Sequence, residues 1–460
     1  MNENCTIVII GVTGDLAKLK LIPAIYELLK TKKLGKFFMI GTASSERDAN
    51  VILEEAKKNI QNIDAEIWNT IKKSFVYAKL NFNEPEDYQK LKIQIDAIEK
   101  ERGLSGNRLF YLATLPEHFD SITHNLSNVG LVNHTKGIQR VIYEKPFGND
   151  LKSAEKINAC ISKVFHEKNI YRADHYLGKE LIGNIALLRF TNRILEPLWS
   201  KKDIDSVQII LDENFGIKNR GNYYDQYGAL KDMAQSHGLQ ILALLAMESP
   251  DKLTGEHIRK AKADVLKKTQ ITDVLFGQYD GYTKELHVEP NSQTETFFVV
   301  KLAINNPRWK GVPFYIRAGK NLKDKKTIAH IKFKSVECLL SKACPSDTNY
   351  LTIRIEPNEG FSFEVNSKKI DGDYEVETIH LDYNHENIGE HNKDAYAVLI
   401  DQALKGEQSF FISKNEVEYS WKIVDAVKQK KNPVYPYAIG SHGPKELEKW
   451  NKKNKIHWKS

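Results

Sequence analysis

Cysteine is scarce in this chain, with only four among 460 residues. Cys5, Cys160, Cys338 and Cys344 do not show the paired spacing typical of structural zinc sites, so the sequence predicts no metal. Cys338 and Cys344 could form a disulfide only if the chain between them folds back. Reduced thiols in a cytoplasmic protein are the favoured interpretation.

Hydrophobic runs long enough to cross a lipid bilayer are missing as well, and Leu239–Met247 is among the longest apolar runs. No basic stretch precedes an apolar segment near the N-terminus, so we expect no secretory signal. The sequence therefore predicts a cytoplasmic protein without a membrane partner.

Charge of one sign does not dominate, since 67 Lys and Arg residues stand against 60 Asp and Glu residues, a net charge of +7. The densest lysine runs, Lys428–Lys431 and Lys452–Lys455, are short. Nucleic-acid binding favours a concentrated basic stripe, so we expect no nucleic-acid partner and only a bias towards anionic ligands.

The overall composition, with 41% hydrophobic and 28% charged residues, is ordinary for a globular protein. A chain of 460 residues is long enough for two domains. The N-terminal part alternates short buried strands with amphipathic helices, which predicts an α/β fold. The predicted strands are Cys5–Ile10, Phe37–Ile40, Phe75–Ala78, Arg108–Ala113 and Gln139–Tyr143.

A glycine turn, Gly11-Val-Thr-Gly14, joins the first strand to a helix that runs through Leu21 and Ile25. Gly11 permits a tight turn, and Gly14 lets the backbone approach a pyrophosphate at the helix N-terminus. Any strand–helix connection could share this pattern, but its position favours a Rossmann-like dinucleotide-binding domain.

The stretch Tyr171–Glu180 places a carboxylate, an imidazole, a phenol and an ammonium group within a few residues. We predict that Asp174 is the N-cap of a helix that runs through Leu188, with His175 and Lys179 on one face. Two donors at a helix start suit a phosphate, although a solvated, salt-bridged helix start is an equally good interpretation.

Beyond this stretch, strands follow one another without regular helical crossovers, which predicts an α+β domain with a large, mostly antiparallel sheet. We therefore place a dinucleotide-binding domain at residues 1–180 and a substrate-binding and oligomerisation domain at 181–460. The predicted strands of the second domain include Val207–Leu211, Glu295–Leu302, Thr327–Phe333 and Tyr350–Ile355.

A long helix is predicted through Leu230–Met247, and its apolar second half indicates burial. His237 lies where the polar half meets the apolar half. A single histidine in this position is more often a core residue than a catalytic one.

Residues 172–180, Arg-Ala-Asp-His-Tyr-Leu-Gly-Lys-Glu, resemble the R-I-D-H-Y-L-G-K-E signature of the glucose-6-phosphate dehydrogenase family. Further motifs resemble those of the family in the same order and extend from about residue 6 to the 440s. They lie at Gly11–Pro23, Arg108–Ala113, Glu144–Asp150, Asp212–Gly216, Asn219–Gln240, Asn291–Thr296 and Arg308–Lys320.

The resemblance implies oxidation of the C1 hydroxyl of glucose 6-phosphate to 6-phospho-glucono-1,5-lactone, with hydride transfer to NADP+. His237 would be the general base and Asp174 the acid that orients it. The residues implied in substrate binding are Lys145, His175, Tyr176, Lys179, Glu213, Asp232, Lys320 and Lys325. Those implied in cofactor binding are Gly11, Thr13, Gly14, Asp15, Leu16, Lys20, Ser44, Tyr111 and Lys145. The family also implies a homodimer or homotetramer.

The chain departs from the family pattern at two positions. Ser44 stands where the family usually has an arginine for the 2′-phosphate of NADP, so NAD remains open as a second cofactor. Glu356 stands where the family usually has a substrate-side glutamine, which leaves a related dehydrogenase of another sugar phosphate as an alternative. A non-catalytic dinucleotide and sugar-phosphate sensor is the alternative from a different class.

Overall fold

The computed structural model describes residues 4–133, 135–336, 348–370, 375–384, 394–428 and 432–459. Cys338, Cys344 and the end of the first lysine run lie outside these residues. The chain forms two compact units, each assembled from separate segments. Unit 1 comprises Met1–Glu180, Asp251–Arg259 and Lys393–Glu418, and unit 2 comprises Leu181–Pro250, Lys260–Asn392 and Tyr419–Ser460.

The strands of the described residues are numbered in chain order. They are β1 (Cys5–Ile10), β2 (Phe37–Ala43), β3 (Phe75–Lys79), β4 (Arg108–Leu112), β5 (Gln139–Glu144), β6 (Ile170–Ala173), β7 (Ile204–Asp212), β8 (Thr269–Tyr279), β9 (Phe297–Ile304), β10 (Phe314–Gly319), β11 (Lys326–Phe333), β12 (Tyr350–Glu356), β13 (Gly360–Lys368), β14 (Val376–Asn384), β15 (Phe411–Ile412) and β16 (Val434–Tyr437).

The helices are numbered in the same way, and two π-helical segments are named π1 and π2. The α-helices are α1 (Ile22–Lys30), α2 (Ala49–Lys57), α3 (Ala65–Lys73), α4 (Pro85–Arg102), α5 (Phe119–Asn128), α6 (Leu151–Val164), α7 (Glu180–Phe190), α8 (Gly221–Ala229), α9 (Leu239–Ala246), α10 (Gly255–Leu266), α11 (Ala395–Lys405), α12 (Lys414–Lys428) and α13 (Glu446–Asn454). The segment π1 is Ala17–Leu21 and π2 is Leu230–Gly238.

Unit 1 contains a seven-stranded sheet in the order β15-β6-β5-β4-β1-β2-β3. Strands β1 to β6 are parallel, and the short β15 is antiparallel to β6. All six residues of β1 are buried, as expected for a β-branched strand covered on both faces. The predicted Rossmann-like architecture is confirmed. Strand β1 lies between β2 and β4, so the strands that follow it are added first on one side of β1 and then on the other.

The helices of unit 1 begin and end at the expected chemical signals. The carboxylates of Asp48 and Asp64 accept hydrogen bonds from backbone N–H groups in the first turns of α2 and α3. Asp150 forms a capping box with Ser153 at the start of α6. Gly103, with φ of 60°, ends α4 in a left-handed conformation.

Unit 2 contains a nine-stranded sheet in the order β14-β13-β12-β11-β7-β10-β9-β8-β16. The pairs β7–β10 and β8–β16 are parallel, and the other neighbours are antiparallel. The predicted α+β class and mostly antiparallel sheet are therefore confirmed. Every residue of α9 is buried, in agreement with its apolar sequence.

The structure differs from the sequence-based expectations in two places. Strand β6 was not predicted, because its Arg172 is a charged residue whose burial is compensated by partners outside the strand, which include Glu167 and Asn158. The predicted long helix at Leu230–Met247 is divided into π2 and α9. No described helix combines the length and the apolar character that a membrane crossing requires.

Candidate active site

The carboxyl ends of the parallel strands in unit 1 carry most of the predicted cofactor residues. Gly11 follows β1 at the point where the order of the sheet reverses, and its φ is +96°. A Cβ atom on Gly11 would lie 2.5 Å from the carbonyl oxygen of Ala113, so only glycine fits between β1 and β4. Ligands of open α/β sheets bind at this reversal point.

The glycine turn itself is open to solvent at Gly14 and Asp15, while Thr13 and Leu16 are partly buried. The N–H of Gly14 donates to the carbonyl oxygen of Gly11 at 3.1 Å, which closes the turn. The following segment π1 precedes Pro23, whose missing N–H and ring are incompatible with regular α-helical bonding.

Lys20 and Ser44 occupy exposed positions near this edge. The Lys20 ammonium lies 3.3 Å from the carboxylate of Asp394, so its charge has a partner within unit 1. Ser44 directly follows β2 and is exposed. The nearby acid Glu46 pairs with Lys79 at 3.4 Å, which reduces its influence on an approaching anion.

Tyr111 and Glu144 form a buried hydrogen bond at the ends of β4 and β5. The Tyr111 hydroxyl donates to the Glu144 carboxyl group, and both residues are buried. Burial raises the pKa of Glu144 to about 7, and the Asp174 charge adds to this rise, whereas the Tyr111 bond and the Lys145 charge oppose it. Lys145 follows Glu144 directly and has a cis peptide bond to Pro146.

The prediction that Asp174 caps a helix containing His175 and Lys179 is wrong, because α7 begins only at Glu180. Residues 174–179 form successive tight turns, in which the N–H groups of residues 177, 178 and 179 each donate to the carbonyl three residues earlier. The Asp174 carboxylate accepts from the N–H of Tyr176 at 3.0 Å and is fully buried. Gly178 packs closely against the start of α11, because a Cβ there would lie 2.5 Å from the Ala395 carbonyl oxygen.

These turns nevertheless bring the predicted phosphate ligands together. The His175 ring packs edge-on against Tyr176 with centroids 4.9 Å apart, and the Lys179 ammonium lies 4.7 Å from the centre of the Tyr176 ring. Tyr396, at the start of α11, stacks parallel to His175 at 6.2 Å. The aromatic rings therefore fix the positions of an imidazole and an ammonium group.

In unit 2, Asp232 and His237 lie on the segment π2, and both side chains are buried. A π-helical stretch is rare and is frequently found at functional sites. The N–H of Leu230 donates to the Glu295 carboxylate at 3.1 Å, which caps this segment. Gly228, with φ of +69°, precedes it, and a Cβ there would lie 2.4 Å from the same carboxylate.

Lys320 lies at the centre of a buried charge cluster in unit 2. Its side chain is only 2% exposed and forms an ion pair with Glu213, while the carboxylate of Asp232 is 3.8 Å away. Its ammonium group also faces the rings of Phe215 and Tyr224 at 5.5 and 5.4 Å. The structure therefore brings together three of the predicted substrate residues, with both signs of charge available to sugar hydroxyls.

Lys325, the last of the predicted substrate-binding residues, forms an ion pair with Glu356. This is the position where the family usually has glutamine, so the departure adds an acid beside a predicted substrate cation. Both side chains are partly exposed.

Sequence reasoning assigns no role to Glu144, Glu295 or Tyr396, although the structure places each against a predicted site residue or the segment that carries one. Glu144 and Glu295 belong to motifs shared with the family, and that signal could have identified them. Tyr396 reaches His175 only through tertiary packing, so no local pattern could have identified it.

The strand order and the glycine turn at its reversal point define a dinucleotide-binding protein of the Rossmann type. Residues 8–184 match the family described as glucose-6-phosphate dehydrogenase, NAD binding domain. Residues 186–459 match glucose-6-phosphate dehydrogenase, C-terminal domain.

Known proteins are similar along nearly the whole chain. Glucose-6-phosphate 1-dehydrogenase of Bacillus subtilis is 39% identical, with 98% of this chain and 97% of the relative covered. That of Chlamydia muridarum is 36% identical, with 99% and 97% covered. A solved structure of glucose-6-phosphate dehydrogenase in complex with its substrate glucose-6-phosphate matches with a TM-score of 0.93 at 33% identity, over 100% of this chain and 99% of that one.

The chain belongs to the glucose-6-phosphate dehydrogenase family, as the motifs indicate. It is an oxidoreductase with a dinucleotide-binding domain.

Proposed function

We propose that this chain oxidises glucose 6-phosphate at C1 to 6-phospho-glucono-1,5-lactone and transfers the hydride to NADP+. The family match across both units carries the proposal, because the signature at residues 172–180 and the motif containing His237 both lie within it. Residues 1–180 form the dinucleotide-binding domain in this proposal. Residues 181–460 supply substrate binding and oligomerisation.

His237 is the proposed general base. A neutral imidazole can accept the C1 hydroxyl proton near pH 7 while the hydride leaves. Asp174 is the proposed group that orients the imidazole and stabilises its protonated form. The burial of both side chains supports these roles, because a charge interaction is stronger away from water.

His175, Tyr176 and Lys179 are the proposed ligands of the substrate phosphate. Their mutual packing supports this assignment, since it holds an ammonium and an imidazole ready for an anion. The sugar hydroxyls are assigned to the remaining substrate residues, which are Lys145, Glu213, Asp232, Lys320 and Lys325.

The residues of the glycine turn fit a dinucleotide, because Gly14 is exposed and a Cβ there would approach only the Gly11 carbonyl oxygen, at 3.3 Å. We assign the cofactor to this turn and its neighbours, with the nicotinamide accepting the hydride when bound. The assigned residues are Gly11, Thr13, Gly14, Asp15, Leu16, Lys20, Ser44, Tyr111 and Lys145.

NADP+ is the proposed preferred acceptor, with NAD+ as a second acceptor. Ser44 offers a hydroxyl but lacks the bidentate grip of an arginine on the 2′-phosphate. The other groups assigned to this phosphate are Thr13, Lys20, Ser45 and Arg47. We therefore expect a smaller preference for NADP+ than an arginine at position 44 would give.

Steady-state kinetics with glucose 6-phosphate and each cofactor tests the reaction. Wild type should produce reduced nicotinamide absorbance, and Ser44→Arg should raise the ratio of kcat/KM for NADP+ over NAD+ by about tenfold. An absence of absorbance growth with either cofactor would refute the proposal.

The catalytic assignment has its own test. His237→Asn should lower kcat by about 10²–10⁴-fold and change KM much less, because the base acts on the transition state. An unchanged kcat in a folded variant would contradict the role of His237.

Glu356 leaves open the alternative that another sugar phosphate is the substrate. Comparing kcat/KM across a panel of sugar phosphates distinguishes this alternative from glucose 6-phosphate oxidation. Tight binding of both ligands without turnover would favour the sensor alternative. A cytoplasmic location and a homodimer or homotetramer complete the proposal.

A further inference from the structure

Helices α5 and α6 bring together three side chains of different chemistry on the outside of unit 1. Asp120 and His124 lie one turn apart on α5, and Cys160 lies on α6. The Cys160 sulfur is 2.7 Å from the Asp120 carboxylate and 3.8 Å from the His124 Nδ1 atom. His124 Nδ1 is 2.8 Å from the same carboxylate.

Sulfur, imidazole nitrogen and carboxylate oxygen are together the donor set of zinc sites. In a tetrahedral site, donor atoms lie about 3.3–3.7 Å from one another. The sulfur–nitrogen distance of 3.8 Å is close to this range, whereas the two distances to the Asp120 oxygen, 2.7 and 2.8 Å, must lengthen when an ion binds. The side chains of Asp120 and His124 are 56% and 46% exposed, so they can rotate outward to admit an ion.

We propose that Asp120, His124 and Cys160 form a binding site for Zn²⁺ or a divalent cation of similar chemistry. Three protein ligands would leave the fourth position to water, and the ion would link α5 to α6. The cysteine spacing could not indicate this site, since its donors come from two helices and include only one cysteine. The site does not depend on the proposed dehydrogenase reaction.

Two lysines on α6 oppose a cation here, because Lys156 and Lys163 both act electrostatically on the Cys160 thiol. We therefore expect weaker binding than at a site with four protein ligands. The alternative is an ordinary hydrogen-bonded trio, in which the Cys160 thiol donates to Asp120.

Titration with Co²⁺, followed by absorption, tests the proposal on the full chain. Co²⁺ should bind near one equivalent and give a near-ultraviolet sulfur-to-cobalt band that Zn²⁺ abolishes. Cys160→Ser should lose the band, and His118→Gln, which changes a neighbouring, partly buried histidine outside the trio, should retain it. A band of equal strength in wild type and Cys160→Ser would overturn the proposal, as would no band at saturating metal.

Thermal unfolding gives a second measurement that does not depend on replacing a buried residue. Zn²⁺ should raise the Tm of wild type but not of Asp120→Asn, whose exposed side chain is a safe site for substitution. Lys156→Gln should lower the Kd by about twofold or more, because it removes a repelling charge. Equal Tm shifts in wild type and Asp120→Asn would contradict the site.

Discussion

Single buried ionisable groups influence the stability of this molecule, and Glu144 is an example. Its carboxyl group is enclosed at the end of β5 and accepts a hydrogen bond from Tyr111. Burial raises the pKa of this carboxyl to about 7, against an ordinary value of 4.5. The groups that act on it are Tyr111, Lys145 and Asp174. The folded chain therefore holds a proton here that the unfolded chain releases at lower pH.

This proton makes stability depend on pH. Between pH 4.5 and about 7 the unfolded chain is ionised at Glu144 and the folded chain is not, so the stability of wild type falls as pH rises through this window. Glu144→Gln still accepts from Tyr111 but does not ionise. The free energy of unfolding of Glu144→Gln minus that of wild type should therefore increase by about 2 kcal/mol between pH 4.5 and pH 7.

Unfolding by urea at several pH values measures this difference. The exposed carboxyl at Glu101 supplies the control, and Glu101→Gln should show a much smaller change. A stability difference that stays flat across the window in Glu144→Gln would contradict the raised pKa.

The ion pair between Lys325 and Glu356 makes a second prediction at the scale of residues. Glu356→Gln should release Lys325 and remove a charge that repels phosphate, so KM for glucose 6-phosphate should fall about three- to tenfold with little change in kcat. Kinetics of the variant measure this. Glu375→Gln removes the acid from a comparable exposed pair with Lys369 and should leave KM unchanged. A higher KM in Glu356→Gln would show that the acid assists binding.

Among the elements, the segment π2 depends most clearly on distant parts of the chain. The N–H of Leu230, its first residue, donates to the Glu295 carboxylate, and Gly228 leaves room for that carboxylate. Gly228→Ala should strain a left-handed position and push a Cβ against the carboxylate, so we expect a loss of about 2–4 kcal/mol and a lower kcat.

Gly281 provides a matched control, because its φ is +91° and a Cβ there would meet nothing within 4 Å. Gly281→Ala should therefore cost only about 1 kcal/mol and leave kcat unchanged. Urea unfolding and kinetics of both variants make the comparison. Equal losses of unfolding free energy in the two variants would mean that the contact with Glu295 does not contribute to stability.

The strands could largely be predicted from the sequence, because a buried strand needs a continuous run of β-branched and aromatic residues. Strand β1 covers the same residues as its prediction, and β4 ends one residue earlier than predicted. The turns at residues 174–179 were not predicted, and Gly178 there packs against the Ala395 carbonyl group, a contact more than 200 residues away that no local pattern indicates. The residues of the candidate site could therefore be predicted where they belong to sequence motifs. Their backbone conformation could not be predicted where it involves contacts between distant parts of the chain.

For the whole molecule, the end strand β14 of the large sheet is the part of the described residues that best fits the proposed oligomer. Ile379 and Leu381 on this strand are 38% and 55% exposed. An exposed apolar edge strand favours pairing with a second copy. Leu381→Lys should shift the protein towards a smaller species in sedimentation velocity measurements.

The control for this prediction is Leu286→Lys, which changes a leucine that is 63% exposed outside the sheet. This variant should sediment like wild type. The same sedimentation coefficient in Leu381→Lys would exclude the β14 edge as the interface.

The assembly of unit 1 from early and late segments has a consequence during synthesis. Strand β15 completes the sheet beside β6, and α11 packs against α1, yet both come from Lys393–Glu418. In a growing chain on the ribosome, the apolar surface of α1 and the unpaired edge of β6 therefore stay exposed until most of the chain has been synthesised. Such surfaces attract chaperones, and a product terminated early would be a target for degradation.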